Sequence, residues 1–182
     1  MDQDLVARAQ RGDESAFADI AYAISDQLFA VAHRILRDVD LAEDATQQTL
    51  VAIWRKLPGL RNRDRFEAWS YRVLVNACYA LARSERRWNP TLHVLETDLV
   101  GGDPQLSVAD RDQLERGFRR LPPEQRAALV LQHYLDLTLP QIADVLGVPI
   151  GTVRSRLHYA RRAMRAALEA DARLELSGSR PS

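Results

Sequence analysis

Apolar residues along this chain recur at three- and four-residue steps, and nowhere do they alternate with polar residues over the length of a strand. That periodicity predicts an all-α protein. Phe17, Ile20, Ile24, Leu28, Val31 and Ile35 fall on one face of a helix for which Asp13 is the expected N-cap. Ala42, Ala45, Leu50, Ile53 and Leu57 form a second core face. Asp40 and Glu43 are the capping pair expected to open that helix at Leu41, and Pro58-Gly59 stops it near Lys56. A third helix is expected from about Arg65 to Arg87.

The pattern lapses after Trp88, where Pro90 and Gly101-Gly102-Asp103-Pro104 break a stretch with no amphipathic period. Residues 1–88 are therefore expected to form one domain and 89–112 a flexible linker. Fully extended, roughly 25 residues span on the order of 80 Å, enough to hold two separated sites. The second domain, 113–170, begins with Leu121-Pro122-Pro123-Glu124-Gln125 ahead of an apolar run from Ala127 to Leu135. Thr138 and Gln141 make a capping pair with Pro140 in the first turn, and Ile142, Val145 and Leu146 form a short buried face. Gly147 supplies a left-handed turn and Pro149 starts the next helix, in which Val153, Leu157, Ala160 and Met164 share a buried stripe. This is a helix-turn-helix, within a small winged-helix-like domain of four helices. Residues 171–182 are expected to be a disordered tail.

Composition narrows the function. The 182 residues are 46% hydrophobic with a formal net charge of +0, so nucleic-acid binding must arise from uneven placement of charge. Acids crowd the first fifty residues, whereas Arg61 to Arg87 and Arg154 to Arg165 are basic. Lys56 is the only lysine. One cysteine, Cys78, forms no internal disulfide, and four scattered histidines offer no metal-ligand spacing. No phosphate loop or nucleophile–base constellation is present, so the chain reads as a non-enzyme with no cofactor or metal. Lacking a leader-like amino terminus and a spanning apolar run, it is expected in the cytoplasm with no direct membrane insertion.

Three surfaces carry candidate chemistry. Arg154, His158, Arg161 and Arg165 step along the outer face of the last helix beside Thr152, Ser155 and Arg162, and no acid lies between Ile150 and Leu168. Such a face suits a major groove, where guanidiniums bridge guanine acceptors or clamp phosphates. In the third helix and the turn before it, Arg61, Arg63, Arg65, Arg72, Asn76, Tyr79 and Arg83 are cations, an amide and an aromatic of the kind that hold single strands. Phe66 and Trp69 nearby suit either stacking or the core. Asp44, Gln47, Gln48, Val51 and Arg55 form a mixed polar and apolar stripe that suits a partner helix.

Taken together, Glu43-Asp44-Ala-Thr-Gln47-Gln48-Thr-Leu-Val-Ala-Ile-Trp54-Arg55, Phe66-Glu-Ala-Trp69-Ser-Tyr71-Arg72-Val-Leu-Val-Asn76, Leu121-Pro-Pro-Glu-Gln-Arg126 and the helix-turn-helix resemble an extracytoplasmic-function (ECF) RNA polymerase sigma factor of the sigma-70 family. The resemblance covers roughly residues 4–87 and 112–168. It implies binding to core RNA polymerase, at the clamp helices of the largest subunit through Asp44, Gln47, Gln48, Val51 and Arg55, and at the flap of the second-largest subunit. It further implies minus-ten promoter DNA held by Arg61, Arg63, Arg65, Arg72, Asn76, Tyr79 and Arg83. The minus-thirty-five element would be read by Thr152, Arg154, Ser155, His158, Arg161 and Arg162. Family members are commonly restrained by an anti-sigma factor, and the linker threads the polymerase channel, where Glu96, Asp98 and Asp103 would imitate nucleic-acid charge. Gln48 replaces a frequent Glu, and Leu139-Pro140-Gln141 an aromatic-acid-acid triplet. The alternative is a helix-turn-helix regulator that acts without polymerase, which leaves the Asp44 stripe and the basic-aromatic helix unexplained. The charge layout also predicts that the free protein binds promoter duplex poorly until polymerase separates its domains.

Overall fold

The computed structural model describes residues 1–88 and 116–178, all helices and connecting turns with no strand among the described residues. Helix α1, Gln3–Gln10, starts where the Asp2 carboxylate accepts the Asp4 amide at 3.0 Å, and it buries Val6 and Ala9. Nothing in the periodicity of so short a segment announces it. Helix α2, Glu14–Leu36, is capped as expected, with the Ala16 amide donating to Asp13 at 3.0 Å. That bond and the Arg8 guanidinium hold the Asp13 carboxyl below its ordinary value. Ile20, Ile24, Leu28, Val31 and Ile35 are buried along one face, whereas Phe17 is half-buried with its ring centroid 4.8 Å from that of Trp54.

Helix α3, Val39–Lys56, starts two residues before the expected position. Arg37 ends α2 in the left-handed region, and the extended Asp38 that follows accepts the Leu41 amide at 2.8 Å. Asp40 is left exposed in the first turn, where a negative charge suits the helix dipole. Ala42, Ala45, Ile53 and Leu57 are buried as the spacing predicts. Thr46 and Thr49 join them because each hydroxyl donates to the carbonyl four residues back at 2.7 Å. Pro58 and Gly59 turn the chain out of α3, and a 3-10 turn, Arg63–Arg65, leads into α4, Phe66–Trp88. Phe66 belongs to the core at 1% exposure, and Trp69 packs half-buried against it with centroids 6.1 Å apart.

In the second domain, residues 116–119 are helical and precede α5, Pro123–His133, then α6, Leu139–Leu146, and α7, Ile150–Gly178. Gln141 Oε1 accepts both the amide and the hydroxyl of Thr138, at 2.8 and 2.7 Å, which fixes the entry to α6. Gly147 takes φ 64 and ψ 36, and Val153, Leu157 and Ala160 on α7 close over Ile142 and Val145 in the same core. At Gly117 a Cβ would stand 2.9 Å from the Met164 sulfur, so the segment of 116–119 lies close on α7. The helix does not end at 170. Ala170, Ala172, Leu174 and Leu176 are strong helix formers, and no breaker intervenes before Gly178. The expected linker lies outside the described residues, as does 179–182.

The two domains, far from standing apart, pack on each other. Helix α4 lies against α5 and α6, and α2 against α5. Across this boundary the Arg34 guanidinium sits 3.8 Å over the Tyr134 ring, and Arg126 Nη1 donates to the Leu36 carbonyl at 3.4 Å. Burial, and then the like charges of Arg126, Arg119 and Arg34, pull the Arg37 guanidinium down to about 10.

Candidate nucleic-acid and partner interfaces

The helix-turn-helix presents the clearest site. Because Val153, Leu157 and Ala160 point into the core, the residues one position on stand outward, and Arg154, His158, Arg161 and Arg162 are all exposed. With Arg165, Leu139, Leu157 and Gln132 they line a cleft of about 600 Å³. Its charged groups are all cationic. Gln132, on α5, was not among the residues singled out from sequence, yet its Oε1 accepts a bond from Arg161 Nη2 at 2.7 Å. Only the fold, which sets α5 beside α7, reveals that pairing. The His158 ring meets Tyr159 edge-on with centroids 5.6 Å apart. Thr152 and Ser155 lie outside the cleft lining, and the Ser155 hydroxyl donates to the Thr152 carbonyl at 2.9 Å.

Helix α4 and its leading turn carry the second set. Arg61, Arg63, Arg65, Arg72, Asn76 and Arg83 are exposed. Arg63 donates to Gln10 on α1 at 2.6 Å, and the Gln10 amide in turn holds the Leu57 and Leu60 carbonyls, so α1 braces this turn. Arg65 and Arg72 both reach Asp144 on α6: Arg65 Nη2 lies 3.3 Å from Oδ2, and Arg72 Nη2 lies 3.0 Å from Oδ1. Tyr79 is half-buried and faces Arg156 of α7; burial pushes its hydroxyl well above the ordinary phenol value, with Arg156 opposing. Asp144 and Arg156 were missed from sequence because their importance depends on how the domains pack. Burial likewise raises Tyr71 to about 12. Among the described residues, then, the packing covers part of the α4 face and leaves the helix-turn-helix cleft open. The acidic linker, on which the expectation of weak duplex binding also drew, lies outside the described residues.

The third surface is the stripe on α3. Asp44, Gln47, Gln48, Val51 and Arg55 are all exposed on one face, and Val51 is 50% exposed although apolar. Trp54 beside them is 36% exposed. No helix among the described residues is long and apolar enough to cross a membrane.

Comparison with known proteins places these surfaces in context. Residues 23–88 match the model of Sigma-70 region 2, and 111–164 that of Sigma-70, region 4. The chain is 30% identical over 181 residues to the RNA polymerase sigma-H factor of Pseudomonas aeruginosa, covering 92% of this chain and 94% of that one. It is 30% identical over 176 residues to the ECF RNA polymerase sigma-E factor of Escherichia coli, covering 90% and 92%. With the ECF sigma factor SigW of Bacillus subtilis it shares 25% identity over 177 residues, covering 88% and 92%. Among solved structures, CnrH in complex with the cytosolic domain of CnrY superposes with a TM-score of 0.66 at 26% identity, covering 93% of this chain and 98% of that one. The sigma factor RpoE of Bartonella quintana, in complex with the anti-sigma factor NepR, gives 0.67 at 25%, covering 85% and 98%.

Proposed function

The chain belongs to the ECF group of the sigma-70 family, and from that premise we propose that it binds core RNA polymerase and directs it to promoters by recognising two separated DNA elements. The observation that carries this reading is the cleft in which Arg154, His158, Arg161 and Arg162 converge with no acid among them. A duplex laid against it meets guanidiniums in position for guanine edges and phosphates together. This is the minus-thirty-five site, with Thr152 and Ser155 at the helix start beside it. One guanidinium, Arg161, is held in place by Gln132.

Minus-ten recognition falls to α4 and the turn before it. Arg61, Arg63, Arg65, Arg72 and Arg83 take phosphates of the non-template strand, while Asn76 offers an amide to the edge of an unstacked base. Tyr79 becomes available for stacking once the two domains part. The Asp44, Gln47, Gln48, Val51 and Arg55 stripe docks the clamp helices of the polymerase largest subunit. Val51 supplies an apolar contact and Asp44 and Arg55 supply charges of both signs. The flap of the second-largest subunit takes the second domain.

The functional units are 1–88 and 113–170, joined by 89–112. The protein is a regulator of transcription in the cytoplasm, and the bond-making chemistry belongs to polymerase. Since the two solved structures compared above are each in complex with a second protein, an anti-sigma factor is proposed as a further partner. Gel filtration with purified core polymerase tests docking: the wild-type chain should co-elute and Val51→Asp should not. Failure of the wild-type chain to co-elute, with promoter binding retained, would instead indicate a regulator that works without polymerase.

A further inference from the structure

Arg65 and Arg72 are seven residues apart, two helical turns, so their guanidiniums project from the same side of α4 and its leading turn. Both converge on one residue of the other domain. The Asp144 carboxylate receives Arg65 at 3.3 Å and Arg72 at 3.0 Å, while Arg72 Nε donates to the Asp144 backbone carbonyl at 3.0 Å and its Nη2 makes a further bond to that oxygen. This carbonyl is among the last four of α6, where the helix ends negative. The fork therefore meets one carboxylate and one partially negative carbonyl oxygen, a spread of acceptors over a single anionic centre that resembles what a phosphodiester presents.

We propose that Asp144 is an intramolecular substitute for a nucleic-acid phosphate, occupying the Arg65–Arg72 fork in the free protein, so that domain closure and capture of the promoter single strand are mutually exclusive. The inference rests on the assignment of that strand to α4. Two features make the closed state displaceable. Side chains of the clasp are 63%, 44% and 36% exposed for Arg65, Arg72 and Asp144, so salt and solvent weaken it. At the same domain boundary Tyr79 Oη and Arg156 Nη1 are buried facing one another, and opening returns both to water. A strand that brings several phosphates then competes against one carboxylate, and its apparent affinity is reduced by the fraction of molecules that are closed.

The test uses the full chain with Asp144→Ala and, as a control for the same change in net charge, Asp136→Asn at an exposed turn position. Two quantities are measured: the radius of gyration by small-angle X-ray scattering, and binding of a fluorescein-labelled pool of short randomised single-stranded DNA. Asp144→Ala should expand the protein and tighten strand binding roughly three- to tenfold, as expected for an exposed ion-pair cluster, with the control unchanged. If Asp144→Ala matches the control in both measurements, or expands the protein without tightening binding, the proposal is overturned. Adding Arg72→Ala to the opened variant examines α4 itself. A loss of strand binding upholds its role, and no loss removes the strand assignment and the inference together.

Discussion

Replacing Arg161 with Ala removes the one guanidinium of the cleft that is fixed by a neutral partner, Gln132, at 2.7 Å. Four arginines line that cleft, Arg154, Arg161, Arg162 and Arg165. If each neutralised one phosphate, log affinity would fall against log salt with a slope of about −3.6, and any one substitution would change the slope by about 0.9. Arg161 is expected to behave differently. The Gln132 bond orients its planar fork, as bidentate reading of a guanine edge requires, and such a contact is worth about 1–3 kcal/mol, or roughly five- to 150-fold in affinity. Fluorescence anisotropy with the cognate upstream duplex and a scrambled one, each at several salt concentrations, separates the two roles. Arg161→Ala should weaken the cognate duplex within that range and leave the scrambled duplex and the slope nearly unchanged. Gln132→Ala should reproduce a smaller part of the same loss. Equal weakening of both duplexes, with the slope reduced by about 0.9, would refute the base-reading role.

Gly147 has φ 64 with open space where a Cβ would stand, so Gly147→Ala should cost only backbone strain, about 1–2 kcal/mol in urea denaturation, with no change in fold. His33 is buried against Phe29, and burial, then Arg37 and Arg34, hold its imidazole below the usual value, with Asp38 opposing. The unfolded chain therefore binds the proton first. Stability should fall as pH drops below about 6.5 toward the lower native value, and His33→Gln should flatten that part of the urea-midpoint profile. Cys78 is fully buried, and burial pushes its thiol up to about 12. A disulfide reagent at neutral pH should thus react only at the rate at which the protein opens, and rapid stoichiometric labelling would contradict the packing.

Where a sequence feature acts within one helix, its structural consequence was legible. The Asp13 cap, the Thr138–Gln141 pair, the Gly147 turn and the alternating buried and basic stripes of α7 all follow from local spacing. Choices between near-equal local options were not. Asp38 and Asp40 are both good caps, and the left-handed Arg37 that decides between them belongs to the end of the preceding helix. Helix α1 is too short for a periodic signal and is held by tertiary bonds, Gln10 to the Leu57 and Leu60 carbonyls among them. Least legible was the contact between domains. Arg156 differs from Arg154 and Arg161 in nothing but its position on the helix, yet it turns toward Tyr79 while they line the cleft. Asp144 carries no local signal that sets it apart, and its role arises only from α4 lying beside α6.

The central claim, that one chain couples polymerase docking to two-element promoter reading, is tested most directly by transcribing genomic DNA with core polymerase plus this protein and sequencing the transcript 5′ ends. The account predicts discrete start sites preceded by two shared sequence blocks, near minus ten and minus thirty-five. Signal at these starts should weaken with Arg72→Ala through the downstream block and with Arg161→Ala through the upstream one. Start sites no different from those of core polymerase alone would contradict it.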